Sequence, residues 1–158
     1  VIRASLTGHL VLSTVHAGRA AEALLRLLEM GIAPYLLASS VTAVIAQRLV
    51  RVTCQHCAHR YQPEPELLNR LGIETDGEFR KGAGCQQCHH TGYFGRTGIF
   101  EVMSISRAIR ELILRRASID ALEEQARREG MRTLLDDARM KVLAGVTTLE
   151  EVIRVLGA

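Results

Sequence analysis

The period of the apolar positions changes several times along the chain, and each change marks a predicted element. Residues 9–15 (HLVLSTV) form a short β-favouring run behind Gly8 and predict a buried strand of an α/β sheet. After Gly18, Ala21, Leu24, Leu25 and Leu28 recur at helical spacing, and Gly31 is placed to end that helix. Pro34 suits a first helical turn, so a second helix is expected from there. It would carry Leu37, Val41, Val44 and Ile45 towards Gln47-Arg48-Leu49. Across residues 54–88 the pattern breaks down into a polar stretch rich in Gly, Pro, His and Gln, with one short helix expected at 65–71. Gly92, Gly95 and Gly98 then supply turns leading into a predicted strand at 98–103.

The last third reads as helical. Ile105, Ile109, Leu112 and Ile113 share one face, and Ser118 is a candidate cap for a helix running to Gly130. Leu134, Leu135, Ala138 and Val142 mark a further helix ending at Gly145. Thr148 to Glu151 spell a capping box ahead of a stripe made by Leu149, Val152, Ile153 and Leu156. These amphipathic segments are expected to pack as a small bundle. No internal repeat interrupts them.

Composition narrows the picture only in part. Aromatics are 4% of the 158 residues and Trp is absent, so the core has to come from Leu, Val, Ile and Ala. The net charge of +3 is spread among interleaved acids and bases. A nucleic-acid binder needs a denser basic face with stacking aromatics, so nucleic acid is not an expected partner. The opening residues lack the apolar core of a secretory signal. The uncharged stretch 30–47 contains Pro34, Ser39, Ser40 and Thr42, which suits a buried helix better than a membrane span. A cytosolic setting follows as the expectation. With no initiator Met and an opening in mid-pattern, the sequence reads as a piece of a longer chain.

Four cysteines carry the strongest chemical signal. Cys54 and Cys57 form one CxxC pair, Cys85 and Cys88 a second, and 27 residues separate them. Each pair places two thiolates on one tight turn, and two such turns complete the tetrahedral sulfur shell that structural zinc prefers. A closed shell leaves no position for substrate, so the expected role is structural. Metal binding worth roughly 10 kcal/mol can hold a loop-rich segment that has no core of its own. Rival readings exist. Cys85 to His89 also spells a c-type haem attachment pattern, which would leave Cys54 and Cys57 unexplained. A redox pair would normally sit between a strand and a helix, and disulfides need an oxidising compartment. His56, His59, His89 and His90 flank the cysteines and are expected to be solvated.

His9 and His16 bracket the first predicted strand; two histidines seven apart do not by themselves establish a site. The wider context gives them meaning. ASLTGHLVLSTVHAGRAAEALLRLLEMGIAPYLLASSV, then AQRLVR leading into the first CxxC, closely resembles the general secretory pathway protein E family of type II secretion ATPases, relatives of the type IV pilus assembly ATPases. HHTGYFGRTGIFEVM after the second CxxC and REGMRTLLDDARMKVLAGVTTLEEVIRVL at the end match the same family in the same order.

The resemblance implies an α/β fold: the C-terminal part of a RecA-like P-loop ATPase core (residues 1–53) with an inserted tetracysteine zinc subdomain (54–91). The chain would return to a core strand (92–104) and end in a small helical subdomain (105–158). It also implies a hexamer on the cytoplasmic face of the bacterial inner membrane, using ATP and magnesium to drive pseudopilus or pilus assembly through inner-membrane platform proteins. His9 and His16 would occupy the family's histidine box near the γ-phosphate. Arg96, in the GRTG turn, would be a candidate to reach nucleotide or a neighbouring subunit or to hold the turn together, and Arg48, at a helix end, to touch nucleotide or pair with an acid.

One departure matters. No G-x-x-x-x-G-K-[ST] string occurs, and neither Lys81 nor Lys141 lies in one. The Walker B segment is missing as well, so this chain alone is expected not to hydrolyse ATP. Two other classes stay open at this stage: an autonomous zinc-stabilised docking module, for which His9 and His16 have no use, and a zinc-ribbon nucleic-acid binder.

Overall fold

A computed structural model describes residues 2–74 and 76–157 as a mixed α/β protein of two compact units. One comprises Val1–Ala46 and Glu101–Thr133, the other Gln47–Phe100 and Leu134–Ala158.

In the first unit, α1 (Ile2–Leu6), α2 (Ala20–Glu29) and α3 (Pro34–Ser40) precede α5 (Arg107–Leu114) and α6 (Ile119–Arg128). The apolar face of α2 buries Ala20, Ala21, Leu24 and Leu28 against Leu37, Met103, Ile109, Ile113 and Leu122. Ser106 and Ser118 cap α5 and α6, each hydroxyl accepting a backbone N–H of the first turn, from Ile109 at 3.2 Å and Ala121 at 3.3 Å.

Two expectations about the first fifty residues fail. Residues 9–15 form neither strand nor helix, and Leu10 and Leu12 are 89% and 90% exposed. A strand exists only as a member of a ladder, and among the described residues none pairs with this segment. The second correction concerns the helix begun at Pro34, which stops at Ser40 instead of running to residue 49. The hydroxyl of Ser40 bonds back to Leu36 O at 2.6 Å, and Val41 turns extended. Val44 and Ile45 belong to β1 (Ala43–Thr53), where burial alternates: Val44, Ala46 and Val50 turn inward while Ile45, Gln47 and Leu49 stay exposed. The β-branched residues that looked helical by spacing pack better on a pleated surface, and pairing with β4 supplies the ladder.

The second unit holds β2 (Ala58–Arg60), α4 (Pro65–Leu71), β3 (Arg80–Gly82), α7 (Leu134–Leu143) and α8 (Leu149–Leu156). The helix at 65–71 forms as predicted and ends on Gly72 in the left-handed region. Its Leu71 is fully buried, as are Val50, Ile99, Ala138, Leu149 and Val152. β4 (Tyr93–Ser104) starts five residues earlier than predicted and buries Ile99, Glu101 and Met103 on alternate positions. β1 and β4 each begin in one unit and end in the other.

The four helices after residue 105 divide between the units, α5 and α6 with the first, α7 and α8 with the second. The capping box at α8 is half formed. Thr148 Oγ1 accepts from Glu151 N at 3.2 Å, but the Glu151 side chain is taken by arginines. No helix among the described residues is long and apolar enough to cross a membrane.

Candidate metal centre

Two short strands bring the cysteine turns together. β2 and β3 pair antiparallel, with Ala58 opposite Gly82, so the residue after Cys57 lies across from a residue three before Cys85. Cys54 N donates to Gly92 O at 2.9 Å and Ala83 N to Cys57 O at 3.1 Å, which joins the start of each turn to the far end of the other. A 3₁₀ turn (Gln86–Cys88) folds the second pair back on itself.

The four sulfurs then cluster. Cys54 Sγ lies 3.9 Å from Cys85 Sγ, Cys57 Sγ 3.9 Å from Cys88 Sγ, and Cys85 Sγ 3.7 Å from Cys88 Sγ. All four fall within 4.8 Å of one another. A tetrahedron with metal–sulfur bonds of ~2.3 Å has edges of ~3.8 Å, so the spacing matches a zinc shell. It does not match disulfides, whose sulfurs approach to ~2.05 Å, and all four cysteines are free. The cluster is therefore compatible with zinc. Because Cys85 and Cys88 face the other pair, the haem-attachment reading loses its support. His56, His59, His89 and His90 are all exposed and lie outside the sulfur group, as expected.

The surroundings act unequally on the sulfurs. Cys88 Sγ accepts N–H groups from Cys85 at 3.2 Å and Gly92 at 3.3 Å. The Cys85 donor leads in holding the Cys88 thiol down at about 6 despite burial. At Cys57 burial dominates and pushes the thiol up to about 12, with the Gly84 N–H offsetting only part. Four thiolates this close would repel one another, and a central divalent cation would compensate them. Space is tight: a Cβ on Gly82 would sit 2.1 Å from Gly92 O, so this approach of two backbones needs glycine.

The other predicted site residues are not gathered. His9 is exposed, with Nδ1 3.1 Å from Thr7 Oγ1, and His16 is exposed as well. Arg48 sits in mid-strand in β1, not at a helix end, half-buried, with Nη1 3.5 Å from Gln47 O. Arg96 lies within β4, not in a preceding turn, and is exposed.

Sequence reasoning missed two buried acids. Glu151 is fully buried and accepts from the backbone N, Nε and Nη2 of Arg51 and from Nε and Nη2 of Arg154. Burial alone would raise its pKa, but Arg154 and Arg51 hold it at about 2. Glu101, 1% exposed, accepts the Ala20 N–H at 2.8 Å. The one available signal for Glu101 was its inward register in IFEVM, between Ile99 and Met103.

The structure thus defines a mixed α/β protein whose middle is tied by a four-cysteine, zinc-compatible centre. The family follows from comparison with known proteins. The model of the type II/IV secretion system protein family matches residues 1–154, and the chain belongs to that family. It is similar to the type IV pilus assembly ATPase PilB of Thermus thermophilus, 46% identical over 154 residues, which cover 95% of this chain and 17% of that protein. It is equally similar to the protein transport protein HofB homolog of Escherichia coli, at 46% over 156 residues, 99% of this chain and 33% of that one. The type II secretion system protein E of Pseudomonas aeruginosa also matches at 46%, over 98% of this chain and 31% of its own length. The chain therefore spans a third or less of the length of these relatives, and both secretion and pilus proteins stand at the same identity.

Proposed function

We propose that this chain works as part of a hexameric RecA-like ATPase that powers pseudopilus or pilus assembly at the cytoplasmic face of the inner membrane. The observation that carries the reading is the family match across residues 1–154 combined with the tetrahedral sulfur cluster in its middle. In this reading residues 1–53 and 92–104 belong to the motor core, 54–91 to the zinc subdomain and 105–158 to the C-terminal helices. Zinc bound to Cys54, Cys57, Cys85 and Cys88 supplies cross-linking, not chemistry, since four thiolates leave no open position.

ATP and magnesium would be held chiefly by phosphate-binding segments that this sequence does not contain. His9 and His16 would contribute by hydrogen bonding towards the γ-phosphate, stabilising charge as it develops. The exposure of both histidines supports that role, because neither ring is committed to a core. Arg48 would face nucleotide, Arg96 nucleotide or an adjacent subunit, and platform proteins of the inner membrane would receive the motion.

Phosphate release tests the proposal. The ATPase that carries this sequence should turn over ATP, His16→Ala should lower its kcat at least tenfold, and the 158-residue chain alone should show no turnover. ATP hydrolysis by the chain alone, or none by the protein that carries it, overturns the reading.

A further inference from the structure

α2 begins in an unusual way. Its N-cap position is Arg19, which has no side-chain acceptor to offer the first turn. The acceptor comes instead from β4: Glu101 Oε1 takes the Ala20 N–H at 2.8 Å, across 81 positions of sequence. Three further contacts act on the same turn. Glu22 Oε2 accepts the Gly18 N–H at 2.8 Å, and the Arg19 guanidinium reaches Glu22 at 3.2 Å and Glu123 at 3.0 Å. Carboxyl groups from β4, α2 and α6 therefore grip residues 18, 19 and 20, which follow His16 by two to four positions.

A local cap would have been enough for helix stability. Ser, Thr or Asp at position 19 satisfies the same donor without burying a distant acid, and burying a carboxyl group carries a desolvation penalty. Glu101 nonetheless sits 1% exposed between Ile99 and Met103 on the inward face of β4. What the distant cap adds is a link between β4 and the turn that directly follows His16.

We infer that Glu101 is a positioning residue, which holds the 18–20 turn in register with β4 and thereby sets the approach of His16. The inference rests on the role given to His16 above. The charges around the turn fit the assignment. Arg19 is held above its ordinary range, first by Glu123 and, against the effect of burial, by Glu22 and Glu101. Glu123 is pushed up by burial, with Glu101, Asp120 and Glu22 adding to the shift against the pull of Arg19. One guanidinium thus serves several acids, and moving Glu101 would redistribute all of them.

The test uses two variants and two readouts. In the 158-residue chain, Glu101→Ala should speed amide exchange at residues 18–20 at least tenfold and shift the His16 imidazole resonances. Amides of α5 should keep their protection. Glu101→Gln retains a carbonyl acceptor for the Ala20 N–H and should leave both signals close to wild type. In the ATPase that carries this sequence, Glu101→Ala should lower kcat about tenfold with KM within about twofold, and Glu101→Gln should restore most of it. Unchanged exchange at 18–20, an unchanged His16 signal, or equal loss of protection throughout α5 overturns the inference. If His16→Ala leaves kcat intact, the role of His16 fails instead, and exchange and resonance still decide whether Glu101 holds the turn.

Discussion

Arg51 and Glu151 lie 100 positions apart and meet through three hydrogen bonds, from the Arg51 backbone N, Nε and Nη2. The carboxylate is fully buried while the guanidinium is 40% exposed, so the acid bears most of the desolvation. Arg51 also lies over the Tyr93 ring at 4.1 Å, and Tyr93 Oη is 2.7 Å from Thr148 Oγ1, the residue that caps α8. β1, β4 and α8 are thus joined in one closed circuit beside the cysteine centre.

Removing the acid should be expensive. Glu151→Ala leaves Arg51 and Arg154 without their shared partner and is expected to destabilise the second unit by roughly 3 kcal/mol, as for other broken buried pairs. Urea unfolding monitored by circular dichroism reads this directly. A change under about 0.5 kcal/mol would show that the arginines are satisfied by solvent.

The same residue predicts a pH dependence. Its folded pKa of about 2 lies below the ordinary 4.5, so its contribution is complete above 4.5 and fades as pH falls towards 2. The wild-type melting temperature should therefore drop across that window, and Glu151→Gln should flatten the drop. Parallel slopes for the two proteins would contradict the assignment.

Metal content gives an independent check. Purified chain is expected to carry about one zinc, and cobalt exchange should produce the absorption bands of a tetrahedral thiolate site. Chelation, or Cys57→Ser with Cys88→Ser, should unfold residues 54–92, because that stretch has little apolar core beyond Leu71 and Ile73. Retained amide protection there after metal removal would count against a structural metal.

Gly82 should tolerate no side chain. Alanine there meets Gly92 O at 2.1 Å and forces the two cysteine turns apart. Zinc affinity measured by competition with a coloured chelator is expected to fall at least tenfold, on the order of that seen when a metal site's supporting shell is disturbed. Gly130→Ala makes a useful comparison: its φ is +95° but nothing lies within 4 Å, so it should strain the backbone without touching the metal.

Helix caps offer a smaller and local effect. Ser118→Ala removes the acceptor for Ala121 N and should cost about 1 kcal/mol, while Ser118→Asp should cost little. Thermal melts of the three proteins resolve the difference.

The residues differ in how far their roles could be read from the chain alone. Cysteine spacing, the serine and threonine caps and the stripes of α5 to α8 are local. Each depends on neighbours within one or two turns, so the sequence by itself determined two CxxC pairs and helices at 65–71 and beyond 105, while the pairing of β2 with β3 brought the two cysteine turns together. The sequence places Val44 and Ile45 on a helix because a short apolar run fits both periods, and only the ladder with β4 decided for a strand. Residues 9–15 show the converse: a run rich in β-formers stays irregular where no strand pairs with it. Glu151 was legible only as a capping-box residue, and Glu101 only by its register in IFEVM. Their burial depends on Ala20, 81 positions away, and Arg51, 100 positions away, and only the tertiary structure brings such partners into reach. A buried charge is tolerable only where its counterparts converge, and convergence is a property of the folded chain.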